Sequence, residues 1–477
     1  MYKTWLWAIL AIGISLFLLY IVSSVYTLVY GYYWLKNGEN SGGGGNDTLP
    51  IELNPPLVIA DQGSMQILST EPCFDGTFKT CFYQNPASPY LTVYFTYPPP
   101  LNESYLGTFS LKQNQVLTLY GKTPIPCGYW GFTMYLYRSN GICGDEVVFA
   151  SLADTVNNIG SGLPPRSPFV LVAGSNYQIM NEVAQQLSPK VNVLFLPFPY
   201  QGDGAKLVLL GRTALFDNPQ QEERFYENPG IKAAIIDYDF VIDENAMITK
   251  YFYLPRNPVF NERTQCPTIK TFNDYANIFV EFIKQQTTES YPYIKEMTME
   301  PYLSEIKYDT GADCIKNCVN CNADNRSTTY LYTTLGEAVK PSNQFVVIFG
   351  VNHTNQGKSV YTNLSIYDDI KQVGIASFEY TKGEQYYSVA AIPQSSQDFP
   401  VVRLPPGTKL FGIPDGIEYL TFAERAYVQT RGIDDRPTRL STSSTFETLI
   451  YPKVWLFSSE PIAENISIQS NNMILSA

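Results

Sequence analysis

The sequence predicts an α+β fold, in which a β-rich ectodomain with a central strand–helix–strand section follows one N-terminal transmembrane helix. Three observations support this prediction. The chain opens on a long uncharged segment, runs of aromatic and β-branched residues then alternate with Pro and Gly clusters, and helical patterns fall mainly in the middle. The 36 Tyr and 27 Phe residues favour strands, because aromatic rings pack well on a pleated, half-buried surface.

The opening segment, Thr4 to Leu35, has no charged side chain. It is longer than the roughly 20 apolar residues that cross a bilayer, so we expect residues 4–35 to bind the membrane as a signal anchor. Lys3 and the terminal amine precede it, which favours a cytosolic N-terminus and a single-pass topology. The remaining chain is then extracellular, luminal or virion-exposed.

The expected organisation has three parts. Residues 1–36 form a cytosolic tip and anchor, residues 37–48 form a Gly-rich linker, and residues 49–477 form the ectodomain. Composition changes near residues 160 and 340 indicate sub-boundaries within that ectodomain.

The central elements follow from local patterns. Apolar runs at 169–173 and 191–198 flank a helical pattern at 176–187, which predicts a strand–helix–strand unit. A second helix begins after Asp217, where Asn218 is a cap and Pro219 a first-turn proline. A third helix is expected from Asn273, with one buried stripe formed by Tyr275, Ile278, Phe279, Phe282 and Ile283. Strand-like runs return from Gln344 onward.

Eight cysteines follow the predicted anchor, and an even count in an oxidising compartment indicates disulfides. These candidates are Cys73, Cys81, Cys127, Cys143, Cys266, Cys314, Cys318 and Cys321. Short spacings favour Cys73–Cys81 and Cys127–Cys143, although the sequence does not fix the pairing. Zinc binding by the last three cysteines is the less favoured alternative, and no metal or cofactor is expected.

Glycosylation is also consistent with this compartment, because every Asn-X-Ser/Thr sequon follows the anchor. The candidate sites are Asn46, Asn102, Asn325, Asn352, Asn363 and Asn465. The net charge of -12 argues against nucleic acid as a partner, since phosphate binding needs clustered Lys and Arg.

Residues that could support catalysis are few. The single histidine, His353, excludes multi-His zinc sites, and it would lie on an exposed turn if Asn352 were glycosylated. Asp237 and Asp239 share a strand face and could bind calcium or form an acid–base pair, but solvated surface charges explain them equally well. Near the C-terminus, charged residues of both signs are expected to form surface ion pairs; they are Glu424, Arg425, Arg431, Asp434, Asp435, Arg436 and Arg439.

Four segments resemble motifs of an uncharacterised group of secreted or membrane-anchored proteins from algae, fungi and some microbes, to which a member from a large DNA virus would also belong. They are GKTPIPCGYWGFTMYLY at 121–137, ASLADTVNN at 150–158, GVNHTNQGKSVYTNLSIY at 350–367 and ERAYVQTRG at 424–432. The resemblance implies one shared ectodomain fold and no established activity. Its motifs centre on Asp154, Asn157, Asn352 and His353, which are the candidate binding residues; helix capping or turn formation is the alternative role.

The sequence therefore favours a structural or recognition protein that contacts neighbouring proteins on a virion or cell surface. Tyr-rich, disulfide-linked β surfaces suit such contacts, because Tyr supplies rigid amphipathic area at low entropy cost. The alternatives are an extracellular hydrolase that uses Asp154, Asp237 or Asp239, and a carbohydrate- or ion-binding module.

Overall fold

The computed structural model describes most of the chain after residue 52. The described residues are 53–74, 77, 81–95, 106–139, 141–187, 191–197, 200, 204–253, 263, 268–301, 310–325, 327–335, 344–355, 357–380, 383–394, 403–417, 419–427 and 449–462. The predicted anchor at 4–35 and the linker at 37–48 lie outside them.

The predicted α+β fold class is wrong, whereas the predicted N-terminal transmembrane helix lies outside the described residues. The described residues form a β-rich structure with few helices, which cover sheet faces rather than forming a layer of their own. None of these helices is both long enough and apolar enough to cross a membrane.

The described strands are β1 Leu57–Ile67, β2 Leu91–Tyr94, β3 Gln115–Lys122, β4 Cys127–Arg138, β5 Val147–Ser151, β6 Val156–Asn157, β7 Pro168–Gly174, β8 Asn192–Phe195, β9 Lys206–Phe216, β10 Lys232–Tyr238, β11 Tyr293–Thr298, β12 Glu300–Pro301, β13 Thr328–Leu335, β14 Gln344–Val351, β15 Tyr361–Asp368, β16 Val373–Tyr380, β17 Tyr386–Pro393, β18 Lys409–Ile413, β19 Leu420–Tyr427 and β20 Lys453–Ser458. The described α-helices are α1 Glu71–Phe74, α2 Asn158–Ser161, α3 Tyr177–Leu187, α4 Pro219–Glu227, α5 Ile269–Thr287 and α6 Gly311–Asn317.

Sheet A is a curled, ten-stranded half-barrel with the order β5-β4-β9-β2-β1-β10-β3-β7-β8, and β6 pairs with β4. Alternating side chains divide between its two faces. Trp130, Phe132 and Met134 of β4 lie in the core on one face, whereas Tyr135 and Tyr137 lie on the other. Helix α3 covers part of that second face.

Two five-stranded sheets pack face to face as a sandwich. Sheet B has the order β11-β20-β14-β17-β18, and sheet C has the order β12-β13-β19-β15-β16. Val346 and Ile348 of sheet B share a core with Leu364, Ile366 and Phe422 of sheet C. Because strand side chains alternate, the other face of sheet C carries a second set of side chains, and these pack against sheet A.

Polar contacts join sheet C to sheet A through the segment that precedes β2. The Tyr83 hydroxyl donates to Asp369 Oδ1 at 2.6 Å, and Asn363 Nδ2 donates to Asn85 Oδ1 at 3.1 Å. At the other end of the segment, Ser88 Oγ donates to the carbonyl oxygen of Thr213 at 2.6 Å. These buried bonds fix how the two sheets face each other.

Helix α5 covers the outer face of sheet B, but its predicted buried stripe is partly wrong. Phe279 and Ile283 pack on the sheet, whereas Tyr275, Ile278 and Phe282 are exposed. The buried stripe is instead Phe272, Ala276, Phe279, Val280, Ile283 and Thr287. The buried face was misassigned because aromatic and aliphatic residues occupy both sides of the helix. The helix also begins four residues earlier than predicted, at Ile269, with Thr268 as its cap.

The strand–helix–strand unit is present as β7, α3 and β8, with the two strands parallel. It forms one edge of sheet A rather than a separate section. Sheet A contains strands from both sides of residue 160, and sheets B and C each contain strands from both sides of residue 340. Residues Ile51–Ala477 form one compact unit.

Helix α4 begins where the sequence predicted. Asn218 Oδ1 accepts hydrogen bonds from the backbone N–H groups of Gln220 at 2.9 Å and Gln221 at 3.3 Å, and Pro219 opens the helix. These bonds satisfy donors that the first helical turn otherwise leaves unpaired.

Replacing the cap residue Asn218 should measurably lower the stability of the protein. Asn218→Ala removes the acceptor for both N–H groups, and we expect a loss of about 1 kcal/mol in the free energy of unfolding. Gln220→Ala is the matched control, because the side chain is exposed in the same turn. Chemical denaturation compares the two variants, and an equal effect of both would contradict the capping role.

Three disulfides are present among the described residues. Cys73–Cys81 confirms the short-range pairing, but the expected Cys127–Cys143 pairing is wrong. Cys143 instead pairs with Cys318, Cys314 pairs with Cys321, and Cys127 is free. The three cysteines considered for zinc are therefore all engaged in disulfides. Cys266 lies outside the described residues.

Candidate functional site

Asp154 lies between β5 and β6, and Asn157 belongs to β6 and contacts the segment that precedes β13. Asn157 Nδ2 donates to Ser327 Oγ at 2.9 Å, and the neighbouring Thr155 hydroxyl donates to Asn325 Oδ1 at 2.9 Å. Asn157 is buried, and Asp154 is 8% exposed. These bonds connect sheet A with a segment about 170 residues further along the sequence. Asn157 and Thr155 therefore have a structural role.

His353 is fully buried and does not lie on the exposed turn that glycosylation of Asn352 would require. Its Nε2 lies 3.2 Å from Glu424 Oε2, and the Tyr387 hydroxyl donates to Glu424 Oε1 at 2.7 Å. All three side chains are at most 2% exposed, at one end of the interior between sheets B and C. Burial and the Glu424 charge raise the pKa of Tyr387 well above its usual value, so its hydroxyl remains a donor.

The turn after β14 places His353 in this cluster. Asn352 Oδ1 accepts from the N–H groups of Thr354 at 3.1 Å and Asn355 at 3.3 Å. The His353 carbonyl accepts from Lys358 N–H at 2.9 Å, which folds the chain back on itself. Asn352 therefore shapes the turn by local side-chain-to-backbone bonds. The structure brings Asn352 and His353 together, while Asn157 bonds to Ser327 in a different part of the fold.

Glu424 and Arg425 were expected in surface ion pairs, and this prediction is wrong. They are 1% and 2% exposed and lie on opposite faces of β19. Glu424 faces the sandwich interior, whereas Arg425 faces sheet A and donates from Nη2 to the Tyr83 carbonyl at 3.0 Å. Successive strand residues point to opposite faces, so adjacent opposite charges need not pair. The strand-like alternation of LTFAERAY was the signal that the sequence analysis missed. Positions 431, 434, 435, 436 and 439 lie outside the described residues.

Three expected glycosylation sites are enclosed. Asn325, Asn352 and Asn363 are at most 2% exposed, and their amide groups are hydrogen-bonded in the interior. A glycan on any of these side chains would replace those bonds and would have no solvent to extend into, so the fold opposes modification there. Positions 46, 102 and 465 lie outside the described residues.

The carboxylates considered for hydrolysis lie on separate strands. Asp154 follows β5, while Asp237 belongs to β10, and β4, β9, β2 and β1 lie between those strands in sheet A. Asp239 follows the end of β10 and is exposed. Among the described residues, no group of three or more His, Cys, Asp or Glu side chains could hold a metal ion.

An exposed aromatic patch surrounds the start of α3. We define it as Tyr177, Phe195, Phe240, Val241 and Phe252. The ring centroids of Tyr177 and Phe252 lie 5.0 Å and 5.2 Å from that of Phe195. Val241 is 92% exposed and Phe240 64% exposed. Large apolar side chains grouped at a surface in this way are typical of interaction sites.

The backbone beneath the aromatic patch is held by hydrogen bonds. Asn176 Oδ1 accepts from the N–H groups of Gln178 and Ile179 and caps α3. Gln178 also bonds to the Tyr238 hydroxyl, at 2.9 Å, and Ile248 N–H donates to the carbonyl of Ser175, at 2.7 Å. The loop that carries Phe240 and Val241 is thus attached to the helix start. Sequence reasoning missed the patch because its members come from four separate segments.

The rim of the aromatic patch is acidic. Asp239, Asp243 and Glu244 are exposed beside Phe240 and Val241, and Lys250 is an exposed base in the same connection. The protein as a whole carries a net charge of -12. An apolar centre with such a rim favours a partner that offers both apolar and positively charged groups.

No protein-family model matches this chain, and no curated protein matches it. Among solved structures, it is similar to an uncharacterized protein from Burkholderia cenocepacia, with 11% identity, coverage of 84% of this chain and 83% of the other, and a TM-score of 0.41. It is also similar to a protein from Vibrio parahaemolyticus, with 9% identity, coverage of 78% and 90%, and a TM-score of 0.37. At these values neither likeness indicates a function.

Proposed function

We propose that this protein is a structural or recognition protein that contacts a neighbouring protein on a virion or cell surface through the aromatic patch. The observation that carries the proposal is the exposure of four apolar side chains: Tyr177 and Phe252, whose ring centroids lie 6.3 Å apart, and Phe240 and Val241 on the loop that is hydrogen-bonded to the start of α3. Binding energy in protein interfaces concentrates in a few such aromatic side chains. The three disulfides support a location outside the reducing cytosol.

The expected partner is a protein segment that combines aliphatic or aromatic residues with Lys or Arg. The acidic rim attracts such a segment and orients it. The same rim repels anionic lipid head groups, so charge favours a basic protein over a membrane surface. A recognition role also agrees with the enclosure of His353 and Glu424, which lie in the interior and away from the surface.

Site-specific crosslinking tests the proposal. A photo-crosslinking residue at Val241 in the intact protein, in its native setting, should yield adducts with a segment of a neighbouring protein that is rich in Lys, Arg and apolar residues. The matched control carries the photo-crosslinking residue in place of Leu410, which is 62% exposed on β18 and lies outside the aromatic patch. Mass spectrometry identifies the crosslinked peptides at both positions.

A synthetic peptide of the crosslinked segment then measures affinity. Phe252→Ser should weaken its binding about ten-fold or more, and added salt should weaken it further. Ile278→Ser, at an exposed apolar position on α5, should leave affinity unchanged. The proposal would be refuted if positions 241 and 410 gave the same adducts. It would also be refuted if position 241 crosslinked only to glycans, lipids or acidic protein segments.

A further inference from the structure

Two arginines lie buried between sheets A and C. Arg212 of β9 is 1% exposed; its Nη1 donates to the Tyr135 hydroxyl at 2.7 Å, and its Nη2 donates to the Ala323 carbonyl at 3.0 Å. Its guanidinium carbon also lies 4.4 Å from the centroid of the Tyr90 ring. Arg212 is therefore surrounded by phenols and a backbone carbonyl.

Arg425 of β19 faces the same region from sheet C. Its guanidinium carbon lies 5.3 Å from the Tyr367 ring centroid and 5.5 Å from that of Tyr330. Burial raises the pKa of Tyr90, but the positive charges of both arginines lower it by more, so the pKa lies below its usual value. The two guanidinium groups and the surrounding tyrosines form one set, which we call the arginine–tyrosine cluster: Arg212, Arg425, Tyr90, Tyr135, Tyr330, Tyr367 and Tyr427.

Several buried donors of this cluster have no hydrogen-bond partner among the described residues. They are Nε of Arg212, Nε and Nη1 of Arg425, and the hydroxyls of Tyr330 and Tyr427. Burial raises the pKa of Tyr367 to about 12 and raises those of Tyr330 and Tyr427 as well, so these phenols keep their protons at neutral pH. Buried N–H and O–H groups without an acceptor are costly, above all on charged groups.

The charges of the cluster also need compensation. Its two guanidinium groups carry two positive charges, and ionisation of Tyr90 supplies at most one negative charge. Among the described residues, neither guanidinium donates a hydrogen bond to a carboxylate; their acceptors are phenol oxygens and two backbone carbonyls. Among the described residues, at least one positive charge thus has no hydrogen-bonded anion, and a buried ion without such a partner is disfavoured.

We propose that the arginine–tyrosine cluster binds a small monovalent anion with the chemistry of a halide between β9 and β19. Such an ion accepts several N–H and O–H bonds at once and balances the remaining charge. Because one arginine belongs to sheet A and the other to sheet C, the bound ion links the two sheets. The anion is a structural ligand of the fold and is independent of the aromatic patch.

Thermal unfolding of the intact protein tests the site, with chloride as the probe. Chloride is titrated against gluconate, which is too large for an enclosed cluster, at constant ionic strength. The melting temperature should rise by several degrees and then saturate, since a ligand that binds the folded state stabilises it by mass action. Crystals grown with bromide should show an anomalous peak between Arg212 and Arg425.

Two conservative variants separate anion binding from packing. Tyr330→Phe keeps the ring beside Arg425 and removes only a hydroxyl that is unpaired among the described residues, so it should weaken the apparent chloride affinity about ten-fold without lowering the melting temperature in gluconate. Tyr380→Phe is the matched control, because its buried hydroxyl is also unpaired among the described residues but lies beside Tyr387 in the sandwich. It should leave the chloride response unchanged. The absence of a saturable chloride response, of a bromide peak at the cluster, or of any difference between the two variants would overturn the proposal.

Discussion

Loss of the Cys143–Cys318 disulfide should lower the free energy of unfolding by about 5 kcal/mol. This bond closes a loop with a sequence separation of 175 residues, and in the chain-entropy account the stabilisation grows with the logarithm of loop length. It also ties the connection after β4 to the residue that caps α6 at its C-terminal end. The variant replaces both cysteines by Ala, and guanidinium denaturation measures the change.

The Cys73–Cys81 bond is the matched comparison, because its sequence separation is only 8 residues. Its removal should cost about 2.5 kcal/mol, roughly half as much. A larger loss from the short loop than from the long one would contradict the entropic explanation. Both double variants keep the Cys314–Cys321 bond, so the comparison isolates loop length from the number of remaining disulfides.

Replacement of Glu424 by Ala should destabilise the protein by about 4 kcal/mol. The substitution leaves the Tyr387 hydroxyl and the His353 ring without their acceptor in a fully buried environment, where unpaired polar groups are costly. Glu424→Gln keeps an oxygen for Tyr387 and should cost less. Equilibrium unfolding by denaturant measures both variants.

Glu289→Ala is the control for the removal of a carboxylate, since Glu289 is exposed after α5 and its loss should change stability by less than about 0.5 kcal/mol. If Glu424→Ala proved as mild as this control, the buried cluster would not support the sandwich. In that case the structural role assigned to His353 and Glu424 would be wrong.

Local signals in the sequence identified much of the secondary structure. Asn218 with Pro219 predicted the start of α4, because capping involves only residues within one helical turn. The strand–helix–strand unit and the Cys73–Cys81 pairing were found for a similar reason, since each depends on residues close together in the chain. The α+β class failed because helical patterns in the middle of the chain did not reveal that the described helices there lie against sheets.

The candidate site was predicted only in part. The motif around Asn352 and His353 forms a turn in the structure, but the sequon at Asn352 would have required that turn to be exposed. Its burial depends on Glu424, which lies 71 residues further along in sheet C, and on Tyr387 from a neighbouring strand of sheet B. Glu424 and Arg425 were wrongly predicted to be exposed because their burial also depends on distant segments. The sequence of a strand does not show that both of its faces will be covered by other sheets.

The sequence by itself determined the acidic charge, the strand-rich character, the capped start of α4 and one short disulfide, because these properties depend on composition or on neighbouring residues. The tertiary structure decided which side chains became interior. It placed His353 and Glu424 inside the sandwich, enclosed Arg212 and Arg425 between two sheets, and left the aromatic patch exposed. These outcomes depend on pairing between distant strands, and no local pattern specifies which sheets will face each other.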